Sequence, residues 1–260
     1  MPFADLKNLR LHYELAGPTD APVVAFSNSL GADLGMWEAQ ASELNGRYRV
    51  LRYDTRGHGQ SSLPNSPHNL GTLAADVLEL LDQLAIPSVN FCGLSLGGMT
   101  GLWLAAEAPQ RIRKVIACSS AAKIGTQESW NARIDLVRRK GMAAVAAGIL
   151  ERWFTPGFHA SSPQIIKTTR KTLESITVDG YAAGCAAVRD AYLREGLSAV
   201  TVPTLVVNGA GDPVTPPADG QALAASMPRA RFTEFPGAHL FNMESAPQFT
   251  AELVKFFGTP

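Results

Sequence analysis

The stretch Asn90–Pro109, "NFCGLSLGGMTGLWLAAEAP", decides how the rest of the chain is read. An apolar run ends at Cys92, Gly93-Leu94-Ser95-Leu96-Gly97 follows, and a helix-like segment then opens with small residues. This is G-x-S-x-G in the context that gives it meaning: strand, tight turn, helix. Glycines two residues either side of Ser95 let strand and helix pass closely, while Ser95 takes a strained conformation that projects its hydroxyl. A helix starting behind the serine presents free N–H groups and the positive end of its dipole. Gly93, Ser95 and Gly98 also resemble the dinucleotide loop G-x-G-x-x-G, but Ser95 stands where that loop needs glycine for pyrophosphate approach. A nucleophilic serine is therefore expected.

Outward from this stretch, short apolar runs recur at Leu9–Leu15, Val23–Phe26, Tyr48–Tyr53, Val115–Cys118, Leu205–Val207 and Arg231–Phe235. Most are separated by helix-like segments, such as Gly71–Leu84 with Leu73, Val77, Leu78, Leu80, Leu81 and Leu84 in helical spacing. Strands alternating with helices predict an α/β fold with a mainly parallel sheet covered by helices. The first two runs are joined by Ala16–Pro22, "AGPTDAP", too short for a crossover helix, so an antiparallel hairpin is expected there. The alternation stops between about Ala121 and Val200, where helix follows helix with no convincing strand. Residues 1–120 and 201–260 are thus expected to form the core, and 121–200 a helical cap.

Composition narrows the function. Lys plus Arg and Asp plus Glu both number 23, so the chain carries no net charge and lacks the basic surface that nucleic acids or anionic membranes reward. Cys92, Cys118 and Cys185 are three in number and have no metal-ligand spacing, which predicts buried free thiols in a reducing compartment. The N-terminal sequence lacks a basic region followed by an apolar stretch, and "GMAAVAAGIL" at Gly141–Leu150 is too short to span a bilayer. A soluble, cytoplasmic protein is expected.

A serine hydroxyl needs a base, and the base needs orienting. In a parallel sheet the partners come from loops at the carboxyl ends of later strands, in the order serine, acid, histidine. After Leu205–Val207 comes "NGAGDPVTPP", which supplies Asp212; after Arg231–Phe235 comes "PGAHLFN", which supplies His239. The other acid position, beyond Cys118, offers only Ser119 and Ser120. His12, His58, His68 and His159 lie too early in the chain or in the helical region. In Tyr53–Ser62, "YDTRGHGQSS", Asp54 and His58 suggest a second acid–base pair or a metal site. A glycine-rich loop tied down by Asp54 and Arg56 is the favoured alternative. Two backbone N–H donors are required for the oxyanion of acyl transfer. Leu96, after the serine, is one; the loop "SNSLG" after Val23–Phe26 should give the other, at Leu30.

With these residues in place, the chain resembles the α/β-hydrolase superfamily over essentially its whole length. Within it, "SNSLGADLGMW", "YDTRGHGQSS" and "FCGLSLGGMTG" are most similar to the 3-oxoadipate enol-lactonases of the β-ketoadipate pathway of aromatic catabolism, with Asn28-Ser29 where the superfamily has His-Gly. The resemblance implies a small anionic lactone as substrate and no metal or organic cofactor. In the segment Trp130–Arg139, Arg133 is a candidate for the substrate carboxylate, with Trp130 on the same helical face and Trp153 as a second pocket wall. Two alternatives remain: a cofactor-free perhydrolase or haloperoxidase-like carboxylesterase, which would prefer neutral esters, and a non-catalytic receptor on a hydrolase fold, in which Ser95 would resist a serine-directed phosphonate.

Overall fold

The computed structural model describes residues 2–66 and 68–258. Eight strands form one sheet: β1 (Phe3–Asp5), β2 (Arg10–Ala16), β3 (Val23–Ser27), β4 (Arg49–Tyr53), β5 (Val89–Leu94), β6 (Ile112–Cys118), β7 (Thr204–Gly209) and β8 (Ala230–Phe235). Their spatial order is β1-β2-β4-β3-β5-β6-β7-β8. From β4 to β8 every neighbouring pair is parallel, whereas β1 and β2 are antiparallel additions at one edge. β5 and β7 are buried along their whole length, which is why they read as unbroken apolar runs rather than as alternation.

The helices of the core are α1 (Glu38–Leu44), α2 (Leu70–Gln83) and α3 (Leu96–Glu107). Between β6 and β7 come α4 (Gln127–Lys140), α5 (Ala143–Trp153), α6 (Pro156–Ser161), α7 (Pro163–Ser175) and α8 (Val178–Asp190); then α9 (Pro217–Ala225), α10 (Phe241–Glu244) and α11 (Ala246–Phe257) complete the chain. α2 shows how sequence sets these elements. Asn69 and Thr72 form a capping box at its start, and Leu70, Leu73, Ala74, Val77, Leu80 and Leu81 make one buried stripe. Burying leucines such as Leu80 and Leu81 contributes about 2 kcal/mol each. Among the described residues no helix is long and apolar enough to cross a membrane.

The expected hairpin between the first two apolar runs does not form. β2 pairs with β4, and β3 lies beyond β4 in the sheet centre. A cross-strand ion pair supports the observed pairing. In the β2–β4 register Glu14 stands opposite Arg52, whose guanidinium donates to Glu14 at 2.5 Å and to Glu38 at 2.7 Å. β3, "VVAFS", offers β2 no such partner. The true hairpin is β1–β2, closed by mutual backbone bonds between Leu6 and Leu9, and β1 is a strand too short to stand out in the sequence.

The loop after β4 is a tie, as its glycine-rich pattern suggested. The Asp54 carboxylate accepts from the N–H groups of Leu34 at 2.8 Å and Gln60 at 2.9 Å, and it contacts His12 Nδ1 at 2.7 Å. His58 turns instead to the carbonyl of Arg56. Arg56 forms a buried two-pronged pair with Asp76 of α2, at 2.5 and 2.6 Å. No cluster of three or more metal-ligating side chains occurs among the described residues.

Breaking a buried pair strands the remaining charge, which typically costs about 3–5 kcal/mol. Asp76→Ala should lower the unfolding free energy by roughly that amount in urea titrations. A loss below about 1 kcal/mol, the value of an exposed pair, would show that Arg56 does not depend on Asp76.

Candidate active site

Because β3 and β5 to β8 run parallel, their carboxyl ends share one edge, and the loops leaving that edge carry the candidate residues. Ser95 stands between β5 and α3 with φ +57° and ψ −112°. A non-glycine residue there is strained, and the surroundings hold it. The Ser95 N–H donates to Cys118 O at 2.8 Å, while Ser95 O accepts from Met99 N–H at 2.9 Å and from Ser120 Oγ at 3.1 Å. Strand and helix then pass with no room for side chains. A methyl group on Gly93 would lie 2.1 Å from Gly97 O, and one on Gly97 would lie 2.3 Å from Ser27 O.

Asp212 lies beyond β7 and His239 beyond β8. Their loops are stitched together by Ala210 N–H donating to Phe235 O at 2.8 Å and Gly211 N–H donating to Gly237 O at 2.9 Å. The consequence is a buried contact of 2.8 Å between His239 Nδ1 and Asp212 Oδ2. Asp212 also accepts from Thr215 Oγ1 at 2.7 Å and from the N–H groups of Val214 and Thr215 at 2.8 and 3.1 Å. Burial alone would push this carboxyl up. The adjacent imidazole and these hydrogen bonds outweigh burial and hold it below the ordinary carboxylate value. An ionised carboxylate only accepts, so Nδ1 carries the proton and Nε2 is left as the basic nitrogen. The Ser95 hydroxyl makes no hydrogen bond to His239 among the described residues; such contacts are often long in free enzymes and tighten when substrate arrives.

Leu30 sits in the loop after β3, and its N–H donates to no protein acceptor among the described residues. Leu96 is the first residue of α3, so its N–H has no intrahelical partner. Both residues are buried on the same edge as Ser95.

The inserted helices close over this loop. A methyl group on Gly31 would fall within 3.3 Å of Trp153 and Tyr181 and 2.9 Å of Leu173. Trp130, by contrast, is anchored away through its indole N–H to Ile124 O at 2.7 Å, and its ring carries the Arg133 guanidinium 5.0 Å above its centre. Burial pushes the Tyr181 hydroxyl's pKa up, and the nearby Arg133 charge pulls against it. Beside Arg133 lies Arg152, whose pKa is lowered by burial and then by the Arg133 charge. Neither arginine forms an ion pair with a carboxylate among the described residues. Tyr181 and Arg152 were not singled out by sequence, because a tyrosine and an arginine in a helical stretch carry no spacing signal. The three cysteines are free and buried, and burial pushes the Cys185 thiol up to about 12, so it stays a thiol at neutral pH.

Known proteins agree with this geometry. A family model described as the alpha/beta hydrolase fold matches residues 22–139, and a serine hydrolase model (FSH1) matches residues 143–246. The chain is 42% identical over 243 residues to 3-oxoadipate enol-lactonase 2 of Acinetobacter baylyi, covering 94% of this chain and 91% of the relative. It is 39% identical to 3-oxoadipate enol-lactonase 1 of the same organism, covering 92% and 90%. The crystal structure of the enol-lactonase from Burkholderia xenovorans LB400 superposes with a TM-score of 0.97 at 41% identity, covering 98% of this chain and 99% of that one.

The depressed Asp212 carboxyl contributes stability that is complete above the unfolded value of about 3.9 and is lost as pH falls through the lower folded value. Thr215→Val removes the hydroxyl donor, so the Asp212 titration followed by carbon NMR should move upward and acid unfolding should begin at higher pH. An unmoved titration would show that the Thr215 hydroxyl does not stabilise the carboxylate.

Proposed function

The chain belongs to the α/β-hydrolase family as a serine-dependent ester and lactone hydrolase, and from that premise we propose that it opens 3-oxoadipate enol-lactone to 3-oxoadipate in the β-ketoadipate pathway. Ser95 is the nucleophile, His239 the base and Asp212 the carboxylate that fixes the imidazole tautomer. His239 Nε2 takes the proton of the Ser95 hydroxyl as Oγ attacks the lactone carbonyl carbon. The N–H groups of Leu30 and Leu96 receive the developing oxyanion, a role in which one donor is typically worth about 3–4 kcal/mol. The intermediate collapses with cleavage of the ring C–O bond, and His239 returns the proton to the departing oxygen. That oxygen leaves as an enol, which is a better leaving group than an ordinary alcohol and then tautomerises to the ketone. Water, deprotonated by His239, releases the acyl group from Ser95 as the second carboxylate.

The observation that carries the choice of an anionic substrate is the pair Arg133 and Arg152. Two like charges lie close together, neither in an ion pair with a carboxylate among the described residues, one aromatic ring, Tyr181, away from the Leu30–Gly31 loop. A substrate carboxylate there would relieve their repulsion, and Arg133, held over the Trp130 ring, is set to donate to it. Trp153 and Tyr181, both packed against Gly31 beside Leu30, would wall the substrate in this reading. Residues 121–200 act in this account as the cap that supplies specificity, while the strand-end loops supply the chemistry. A neutral-ester esterase would have no use for this charge.

Purified protein should consume the enol-lactone, seen as loss of its ultraviolet absorbance, and Ser95→Ala should lower the rate by at least about 10⁴-fold. Persistence of the signal with wild type would overturn the substrate, and turnover by Ser95→Ala would overturn the nucleophile. A charge-assisted hydrogen bond is worth about 1.5–3 kcal/mol, so Arg133→Ala should raise KM for the lactone roughly ten- to hundredfold and leave KM for a neutral aryl ester near its original value. Equal effects on both substrates would remove Arg133 from the carboxylate site.

A further inference from the structure

The residues on either side of His239 are both tied to one short segment of the inserted helices, Leu240 directly and Ala238 through Glu244. Before the histidine, the Ala238 N–H donates to Glu244 Oε1 at 2.7 Å. The other oxygen of that carboxylate accepts from Thr155 Oγ1 at 2.5 Å, and the Thr155 N–H lies 3.3 Å from both oxygens. After the histidine, the Leu240 N–H donates to Trp153 O at 2.9 Å. Trp153 is the same residue whose ring lies along Gly31, beside Leu30. Residues 153–155 therefore touch the loop of the base and the loop of the oxyanion donor at once.

Glu244 has no cation as partner among the described residues. Its hydrogen bonds go to two backbone N–H groups and one hydroxyl, the bonds from Ala238 and the Thr155 hydroxyl being short. The His239 loop needs such support. It contains Gly237 at φ +127°, which a loop without external anchors would populate alongside other conformations. Asp212 fixes one nitrogen of the ring but not the height of the ring above Ser95. That height follows from where the Ala238 and Leu240 peptides sit.

We propose that Glu244 and Thr155 form a positioning bridge that sets the imidazole of His239 against Ser95 and couples its placement to that of the inserted helices. The bridge touches no reacting atom and rests on the assignment of His239 as the base. Thr155 also caps α6 through Phe158 N–H, so the serine variant keeps both duties and the valine variant loses both.

The test uses p-nitrophenyl acetate, a neutral ester that does not engage Arg133, alongside labelling of Ser95 by a serine-directed phosphonate. Displacements of about 1 Å can cost on the order of a hundredfold in rate, so Glu244→Ala and Thr155→Val should lower kcat roughly ten- to hundredfold, with KM within about twofold. Phosphonate labelling, which needs the same base, should slow in proportion. Glu244→Gln and Thr155→Ser, which keep an acceptor and a hydroxyl in place, should recover most of kcat. The inference fails if folded Glu244→Ala and Thr155→Val keep wild-type kcat, or if the loss follows melting temperature and neither conservative variant restores it. A wild-type chain that turns over neither the ester nor the enol-lactone would instead sink the hydrolase assignment, and the bridge with it.

Discussion

One strained residue governs the layout of this molecule. Ser95 holds a backbone conformation that a side chain rarely adopts, and it does so because β5 and α3 are pressed together with only glycines between them. The strain is offset by three hydrogen bonds at Ser95 itself and by a strand buried along its whole length. In the nucleophile's role proposed for it, a serine so fixed would lose almost no further freedom on reacting, which is the advantage of the rigid centre of a sheet over a loop.

Asp212 and His239 are held by different means. Their loops are longer, and two backbone bonds between them make them move as a unit. Asp212 has four donors, so its charge is kept although it is buried, and that charge keeps the imidazole in the tautomer that leaves Nε2 basic. A second buried contact of the same type, His12 with Asp54, shows what this pairing does elsewhere in the chain. With no hydroxyl on a strained turn beside it, it ties a loop to the edge of the sheet. Pairing orients a histidine; only its neighbours decide what the histidine can do.

The alternation of apolar runs and helices, and the placing of Ser95, Asp212 and His239 on one edge, were legible because a parallel sheet allows few connections. Once G-x-S-x-G fixes the central strand, later strand ends can fall only on the same rim. The β2–β4 pairing was not legible, because nothing local marks contacts such as Glu14 with Arg52, 38 positions apart in sequence. β1 was lost for its length of three residues. Arg133 was visible through its spacing from Trp130, whereas Arg152 and Tyr181 come beside it only through the packing of α4, α5 and α8. Glu244 looked like an ordinary acidic residue near the start of the last helices. Nothing in the local pattern marks a carboxylate that will meet a threonine 89 positions earlier.

The anchoring of the His239 loop to residues 153–155 also bears on how such enzymes diversify. A helical insertion that only roofed the site could be exchanged between relatives like an interchangeable part. Here a graft bounded at β6 and β7 would bring a foreign partner for Leu240 and Glu244, so new specificity would arrive with a misplaced base. If the bridge works as proposed, chimeras made in the laboratory should carry residues 236–245 along with the donor's helices.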